Sequence, residues 1–400
     1  MRQIARPTYI HFLKTWKNQE LIKVVSGVRR CGKSTLFEMF RAQLLKEGVA
    51  AQHIVSINFE DLAFDHLLTA TALHAHLQEQ LPKDTFVYLF LDEIQNVQDF
   101  ERVVNSLRLN PHLDIYITGS NAYFLSGELA TMLTGRYVEL KMLPLSFAEY
   151  YTAYPAGSKE EAFNAYLQTS FPYASSLGIT QKMQYLEGLY ASVVLKDIVK
   201  RLHINEVNVL ERLIRYVFAE IGNVHSVLNL TNALNAAGTK ISHKTVANYL
   251  SGIEESMLVY RARRYNLKGK RVLNSNVKYY AVDMGLRRYV AGDRSQDYGH
   301  ILENIIYLEL RRRGYEVYVG VLDQLEVDFL ALKPNNERLY VQVAYRTEQD
   351  TTLQRELKPL QQLKDNFPKL LLTLDTILPE QNFEGIQKLN AIEWLLSSYD

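Results

Sequence analysis

The stretch from Leu21 to Thr35, LIKVVSGVRRCGKST, limits the possible folds of this chain more than any other. It opens with an apolar run rich in β-branched residues, breaks at Gly27 and ends in GKST, which gives the spacing G-x-x-x-x-G-K-S. A run with helical character follows, from Thr35 to Lys46. Glycines at this spacing let backbone amides fold around an anion, and the next helix points the positive end of its dipole at that anion. The pattern predicts a buried strand, a phosphate-binding loop and a helix, in that order.

A nucleoside triphosphate in this loop would rest on backbone amides and two side chains. Lys33 would reach the β- and γ-phosphates, and the Ser34 hydroxyl would hold Mg²⁺. Cys31 is the one cysteine of the chain, and it is either a small residue that fits the loop or an oxidation-sensitive thiol. We expect ATP to contact the whole loop: Gly27, Val28, Arg29, Arg30, Cys31, Gly32, Lys33, Ser34 and Thr35.

The run from Thr85 to Gln95, TFVYLFLDEIQ, predicts a second part of the site. Its six consecutive apolar residues are typical of a central parallel strand that is covered on both faces. Asp92 and Glu93 close the run. We expect Asp92 to lie beside Ser34 and bind Mg²⁺, and Glu93 to act as general base on the attacking water. An acid directly after the Mg²⁺ ligand is typical of a hydrolase.

Polar residues also close the strand that is predicted for Leu113 to Ser120. Either Ser120 or Asn121 would contact the γ-phosphate or its water, and the sequence does not choose between them. Strands and helices alternate up to this point. This alternation predicts an α/β fold, with a parallel sheet, helices on both of its faces and ligand at the carboxyl ends of the strands.

Six motifs follow one another in a specific order: GVRRCGKST, INFED, LDEIQ, TGSN, LTGRY and LPLSFAEY. Together they resemble the AAA+ ATPases of the AAA_14 type whose C-terminal half is the domain of unknown function DUF4143. The resemblance covers nearly the whole chain and implies Mg²⁺-dependent hydrolysis of ATP. It also implies a catalytic role for Arg136 of LTGRY, as a sensor in the same chain or as an arginine finger in a neighbouring subunit. Pairing with local acids is the alternative for Arg136.

We expect four domains. They are a P-loop ATPase core at 1–145, a helical lid at 146–205, a winged helix-like domain at 206–290 and a nuclease-like α/β domain at 291–400. The lid contains one long amphipathic helix, predicted for Lys182 to Arg201. The winged helix-like domain is predicted from three short helices followed by a β-prone stretch.

That β-prone stretch, from Met257 to Val282, contains seven lysines and arginines and no acid. Tyrosines interleave with the basic residues, as in surfaces that follow a phosphate backbone. The stretch predicts contact with double-stranded DNA through residues 240–280, including Lys240 and Lys244. The alternatives are a module that docks a protein and a solvated basic face.

The last segment resembles the PD-(D/E)XK nuclease fold, which the DUF4143 resemblance also implies. Glu303 lies on a predicted helix and Asp328 on a predicted strand, as acids that would hold Mg²⁺ or persist for structural reasons. Gln342 and Ala344 occupy the positions where such a nuclease has an acid and a lysine. Because neither side chain carries a charge, we predict a nuclease-like scaffold without nuclease activity.

Composition leaves the partner open, because the formal net charge is only +1. A single cysteine fits a reducing compartment, and no apolar run is long enough to span a bilayer, so we expect a cytoplasmic protein without a membrane segment.

Two purposes remain: a DNA-associated switch or motor, and a signal-transducing ATPase that docks a protein partner. An active Mg²⁺ nuclease is disfavoured, and the sequence does not say whether the chain forms homo-oligomers.

Overall fold

The computed structural model of the chain describes residues 3–82, 85–120, 133, 135–293 and 297–397. The chain divides into two compact units. The first comprises residues 1–144 with 255–257, and the second comprises residues 145–254 with 258–400. Among the described residues, no helix combines the length and the apolar character needed to cross a membrane.

A sheet of five strands lies at the centre of the first unit. All its neighbouring strands are parallel, in the order β2-β3-β4-β1-β5. The strands are β1 (Ile22–Ser26), β2 (Ile54–Asn58), β3 (Val87–Asp92), β4 (Leu113–Gly119) and β5 (Tyr137–Lys141), and the helices are α1 (Pro7–Thr15), α2 (Lys33–Lys46), α3 (Ala70–Gln80) and α4 (Phe100–Leu107). Every residue of β1, β3 and β4 is buried, as expected for central strands. The predicted parallel α/β fold is confirmed.

Large side chains cover both faces of this sheet. On one face, Phe37 and Phe40 of α2 pack around Phe90 and Tyr116, with ring centroids 4.8 to 6.4 Å apart. Successive side chains of a strand point to opposite faces of the sheet. The strand residues that alternate with these rings therefore lie on the other face, which α3 and α4 cover. The aliphatic core there includes Leu73, Leu77, Leu89, Leu91, Val103, Val104, Ile115 and Ile117. This packing holds the carboxyl ends of β1, β3 and β4 side by side.

A mixed sheet of nine strands lies in the second unit, in the order β13-β14-β12-β11-β10-β9-β7-β8-β6. Its strands are β6 (Val224–His225), β7 (Val259–Asn266), β8 (Arg271–Ala281), β9 (Glu316–Leu322), β10 (Leu325–Leu332), β11 (Arg338–Ala344), β12 (Lys369–Thr373), β13 (Gln381–Phe383) and β14 (Ile386–Asn390). The helices are α5 (Phe147–Ala153), α6 (Lys159–Tyr166), α7 (Pro172–Ser175), α8 (Ile179–Ser192), α9 (Lys200–Leu202), α10 (Val207–Ala219), α11 (Val227–Ala236), α12 (His243–Glu255), α13 (Met284–Ala291), α14 (Tyr298–Arg312), α15 (Asp350–Gln361) and α16 (Ala391–Leu396).

The second unit differs from the sequence prediction in two respects. First, β7 pairs with β9 in parallel, so the strands of segments 206–290 and 291–400 share one sheet and do not form two separate compact units. Second, the predicted helix from Lys182 to Arg201 is not a regular α-helix. Its C-terminal half contains a π-helix, Val193–Val199, that joins α8 to α9. Sequence periodicity alone does not reveal either feature.

Candidate nucleotide site

The phosphate-binding loop joins the carboxyl end of β1 to the first residue of α2, Lys33. Two positions in this loop require glycine, each for a separate physical reason. Gly32 has a φ of +106°, a backbone conformation that side chains with a Cβ rarely adopt. A Cβ on Gly27 would lie 2.4 Å from the carbonyl oxygen of Met142, so only glycine fits there. The strand, loop and helix have the order that the sequence predicts.

Lys33 points into this end of the sheet and is 3% exposed. Its Nζ donates hydrogen bonds of 3.0 Å to the Gly27 carbonyl oxygen and to Ser120 Oγ, and it lies 3.4 Å from Glu93 Oε1. Burial alone would lower the pKa of Lys33, but the nearby acidic groups, Glu93 foremost, together outweigh burial, and the pKa lies above its ordinary value. Lys33 therefore keeps its positive charge although it is buried.

Asp92 and Ser34, the predicted Mg²⁺ ligands, lie within hydrogen-bonding distance of each other. Burial raises the pKa of Asp92, while hydrogen bonds donated by the Ser34 and Thr118 hydroxyls act in the opposite direction. A hydroxyl and a carboxylate are oxygen ligands that suit Mg²⁺, which usually completes its shell with water and phosphate oxygens. The described part of the chain contains no group of three or more His, Cys, Asp or Glu side chains that could hold a metal. A cation here would accordingly depend on the nucleotide for part of its shell.

Glu93 has the left-handed backbone conformation, with φ +52° and ψ +46°. This conformation costs a residue other than glycine roughly 1–2 kcal/mol. The Glu93 carboxylate accepts hydrogen bonds of 2.6 Å from Ser120 Oγ and from Gln95 Nε2. Burial would raise the pKa of Glu93, but the charge of Lys33 and these hydrogen bonds lower it below its ordinary value. The carboxylate is therefore ionised, as a proton acceptor must be.

Of the two residues predicted to close β4, Ser120 contacts the side chains of both Lys33 and Glu93. Its hydroxyl donates to Glu93 and accepts from Lys33, so one atom links the lysine to the acid. Asn121, the other candidate, lies outside the described residues. Ser120 thus meets the acid directly.

Cys31 is fully buried, and burial raises the pKa of its thiol. A thiol is reactive mainly as the thiolate, so this environment favours the interpretation of Cys31 as a small residue that fits the loop. The Cys31 carbonyl oxygen accepts a 3.2 Å hydrogen bond from Arg6, which also donates to Leu143 at 2.7 Å. Sequence analysis missed Arg6, because no local pattern connects it with a loop 25 residues away.

Arg136 does not lie at this end of the sheet. Its carbonyl oxygen accepts the backbone N–H of Ile22, the first residue of β1, and its guanidinium donates to Asn105 at 3.0 Å. The loop follows the opposite end of β1, a strand of five residues that spans about 16 Å. This position does not support a sensor role for Arg136 on a nucleotide in the same chain, and the role in a neighbouring subunit stays a prediction.

Thr118 is a residue of this site to which sequence analysis gave no role. It is fully buried near the end of β4, donates to Asp92 and accepts the Glu93 backbone N–H at 2.8 Å. A polar residue next to the predicted site, within a strand that is otherwise largely apolar, was the available signal.

The predicted acids of the second unit form a separate buried cluster with a lysine. Lys278 Nζ of β8 lies 3.1 Å from Glu303 Oε1 and 2.8 Å from Glu326 Oε1. Burial and then the charge of Glu303 raise the pKa of Asp328 well above its ordinary value. Lys278, by contrast, has a pKa above its ordinary value because the carboxylates outweigh its burial. Sequence analysis assigned Lys278 to a DNA-binding surface, and the structure contradicts this because its side chain is buried.

Gln342 and Ala344 lie at the positions where a nuclease would have an acid and a lysine, and both belong to β11. The Gln342 amide donates to Glu356 at 2.9 Å and accepts the backbone N–H of Asp328 at 3.3 Å, so both of its ends have partners. Ala344 is buried at the end of β11. Neither residue supplies a charge to the cluster.

Most of the basic stretch from Met257 to Val282 is paired with acids of the same unit. Five of its seven basic residues have a carboxylate partner: Arg261 with Glu254, Arg263 with Glu316, Arg264 with Glu326, Lys268 with Asp323, and Lys278 with Glu303 and Glu326. Lys270 and Arg271, in and next to the turn between β7 and β8, are exposed and have no carboxylate partner among the described residues. The positive surface is much smaller than the sequence indicates.

Comparison with known proteins gives two family models and two close relatives. A model described as an AAA domain matches residues 19–151, as the AAA_14 resemblance predicted, and a domain of unknown function, DUF8612, matches residues 160–297. The expected DUF4143 is not confirmed. An uncharacterized protein of Haemophilus influenzae is 37% identical over 399 residues, covering 98% of both chains. Uncharacterized protein MJ1544 of Methanocaldococcus jannaschii is 30% identical over 399 residues, covering 92% of this chain and 84% of its own.

A solved structure supports the fold independently. The Walker-type ATPase PABY2304 of Pyrococcus abyssi matches with a TM-score of 0.51 over 72% of this chain and 95% of its own. Because the sequences are only 14% identical, this similarity concerns the fold alone.

Proposed function

The chain belongs to one family with the Haemophilus influenzae and Methanocaldococcus jannaschii proteins, and on that premise we propose that it is a Mg²⁺-dependent ATPase that hydrolyses ATP to ADP and phosphate. One observation carries the proposal: Lys33, Ser120 and Glu93 form a continuous chain of buried contacts at the mouth of the phosphate-binding loop. The pair of Ser34 and Asp92 lies next to this chain. A structural ion pair would not require these five residues together at the edge of the sheet where β1, β3 and β4 end.

Each residue has one task in this mechanism. The amides of the loop and the Lys33 ammonium would bind the β- and γ-phosphates. Ser34 and Asp92 would hold Mg²⁺, which would supply neutralisation of charge on the phosphates. A bound phosphate competes with Glu93 for Lys33, because both carry negative charge. Glu93, kept ionised, accepts the proton of the water that attacks the γ-phosphate, and Ser120 orients its carboxylate.

Two variants test the proposal. Lys33→Ala should abolish tight ATP binding, because it removes the buried cation that faces the phosphates. Glu93→Gln should still bind ATP but turn over at least about tenfold more slowly, since an amide cannot accept the proton. Glu79→Gln, on the exposed face of α3, is the matched control and should keep wild-type turnover. Wild-type ATP affinity in Lys33→Ala would refute the assignment of the loop.

The purpose of hydrolysis is a further part of the proposal. A DNA-associated switch or motor is supported by the order α10-β6-α11-α12-β7-β8, which matches the outline of a winged helix. The exposed basic residues left for DNA are Lys240, Lys244, Lys270 and Arg271. The alternative, a signal-transducing ATPase that docks a protein partner, is favoured by the ion pairs that neutralise most of the basic stretch.

Steady-state ATP hydrolysis with and without double-stranded DNA, at two salt concentrations, separates these purposes. A turnover that DNA raises and salt lowers again supports the DNA-associated switch, because phosphate contacts are salt-dependent. A turnover that does not respond to DNA supports the protein-docking switch.

We further propose that the nuclease-like part of the second unit does not cleave DNA. Lys278 already pairs with Glu303 and Glu326, and both ends of the Gln342 amide have partners. Plasmid nicking that requires Mg²⁺ or Mn²⁺ and is lost in Glu303→Gln would contradict this proposal.

A further inference from the structure

Thr118 lies where three strands of the first unit meet at their carboxyl ends. Its side chain is fully buried, and its backbone is in register with Val25, one residue before the end of β1. Leu91 of β3 pairs with Ile117, so Thr118 is the neighbour of Asp92. One hydroxyl thus lies between the strand that leads into the phosphate-binding loop and the strand that carries the two acids.

This hydroxyl makes two hydrogen bonds of opposite direction. It donates its single proton to Asp92 Oδ1 and accepts the backbone N–H of Glu93 at 2.8 Å. A hydroxyl has one proton and two lone pairs, and Asp92 as a carboxylate can only accept. The direction of both bonds is therefore fixed, and no other orientation of the hydroxyl satisfies both partners.

The second bond acts on a backbone that departs from the strand. Directly after β3, Glu93 adopts the left-handed conformation, and this turn brings its carboxylate to Ser120 Oγ at 2.6 Å and to Lys33 Nζ at 3.4 Å. The bond from Glu93 N–H to Thr118 lies at the turn itself. Ser120 contacts the end of the Glu93 side chain, whereas Thr118 holds the backbone from which that side chain starts.

We propose that Thr118 is a positioning residue for ATP hydrolysis, an inference that rests on the proposed function. It holds the Asp92 carboxylate towards Ser34, where Mg²⁺ would be bound, and it holds the Glu93 backbone so that the carboxylate faces the γ-phosphate. Thr118 acts through these two acids and does not itself reach the nucleotide. A single hydroxyl thus couples the geometry of the metal ligand to that of the general base.

Thr118→Val tests this role, because valine keeps the shape of threonine and removes both hydrogen bonds. Turnover should fall between about tenfold and 10²-fold, the loss expected from misplacing a catalytic group by about 1 Å. Binding of a fluorescent ADP without Mg²⁺ should stay unchanged, and the Mg²⁺ concentration for half-maximal enhancement of that binding should rise. Thr118→Ser keeps the hydroxyl and should restore both turnover and the Mg²⁺ response. Thr231→Val, which removes the 2.7 Å bond of another buried hydroxyl to Val227, is the matched control and should change neither.

The outcomes separate the inference from the proposed function. Wild-type turnover and Mg²⁺ response in Thr118→Val would overturn the inference and leave the ATPase assignment intact. Equal loss of nucleotide binding and of thermal stability in both Thr118→Val and Thr118→Ser would overturn it too, because the side chain would then serve folding alone. Absence of ATP hydrolysis in the wild-type chain would overturn the ATPase assignment and the inference together.

Discussion

Replacing Lys278 with methionine should strongly destabilise the second unit. The Lys278 ammonium is 3.1 Å from Glu303 and 2.8 Å from Glu326, and the side chains of Lys278 and Glu303 are 6% and 9% exposed. At an effective dielectric constant of about 20, one such contact between unit charges amounts to about 5 kcal/mol before desolvation is subtracted. Glu326 is more exposed, at 31%, so solvent screens it more and Glu303 dominates. Removing one partner of a buried pair costs about 3–5 kcal/mol, because the other charge stays buried without compensation. We expect a loss of that size.

The chain offers a fluorescent probe for this measurement. It contains two tryptophans, Trp16 in the first unit and Trp394 in the second. In a Trp16→Phe background, the emission of Trp394, which is largely buried, reports urea unfolding of the second unit. Lys268→Met removes an exposed lysine that pairs with Asp323, and this control should change the free energy of unfolding by less than about 1 kcal/mol.

A double-mutant cycle with Glu303→Gln completes the test. If the two charges depend on each other, the double variant should lose less stability than the sum of the two single losses, by about 0.5–3 kcal/mol. The pKa of Lys278 lies above its ordinary value, so the stabilisation is fully present below the ordinary lysine pKa of about 10.4 and is lost only as the pH rises through the higher folded-state pKa. A Lys278→Met variant that unfolds within about 1 kcal/mol of the wild type would refute the reasoning from burial and pairing.

Two further predictions concern partners. Replacing Lys270 and Arg271 together with alanine should weaken salt-dependent binding of duplex DNA and leave DNA-free turnover unchanged, because these residues are the exposed basic pair of the hairpin; unchanged duplex binding would refute a DNA contact there. Arg136→Ala should bind ATP but hydrolyse it slowly if Arg136 serves a neighbouring subunit. Adding Glu93→Gln chains, which keep Arg136, should then restore turnover in mixed assemblies. Wild-type turnover of Arg136→Ala alone would exclude this role.

The strands and the loop of the first unit were predictable because their signals are local. An unbroken apolar run predicts β3 and a largely apolar run predicts β4, and the residues of both strands are all buried. The glycine spacing predicts the loop because Gly32 and Gly27 meet constraints that other residues violate. Asp92 and Ser34 come together because parallel strands end at one edge of a sheet. The left-handed conformation of Glu93 was not predictable from local spacing, since the partner of its backbone N–H is the Thr118 hydroxyl of another strand.

The basic stretch of the second unit had a clear signal in the sequence, but composition does not show which of its charges are paired with acids. Five of its seven basic residues pair with acids from α12, α14, β9, β10 and the turn before β10, and sequence spacing does not reveal these pairings. Arg136 was assigned from a motif, and the register of β5 against β1 places it at the opposite end of the sheet from the loop.

The sequence by itself determined the parallel α/β core, the phosphate-binding loop and the identity of the acids beside it, because each depends on residues that are neighbours along the chain. The tertiary structure decided which charges stay exposed, which are buried in pairs and which hydroxyl holds the two acids. These properties depend on distances in space, where electrostatic and hydrogen-bond energies change over a few ångströms. Strand register, rather than spacing along the chain, sets those distances.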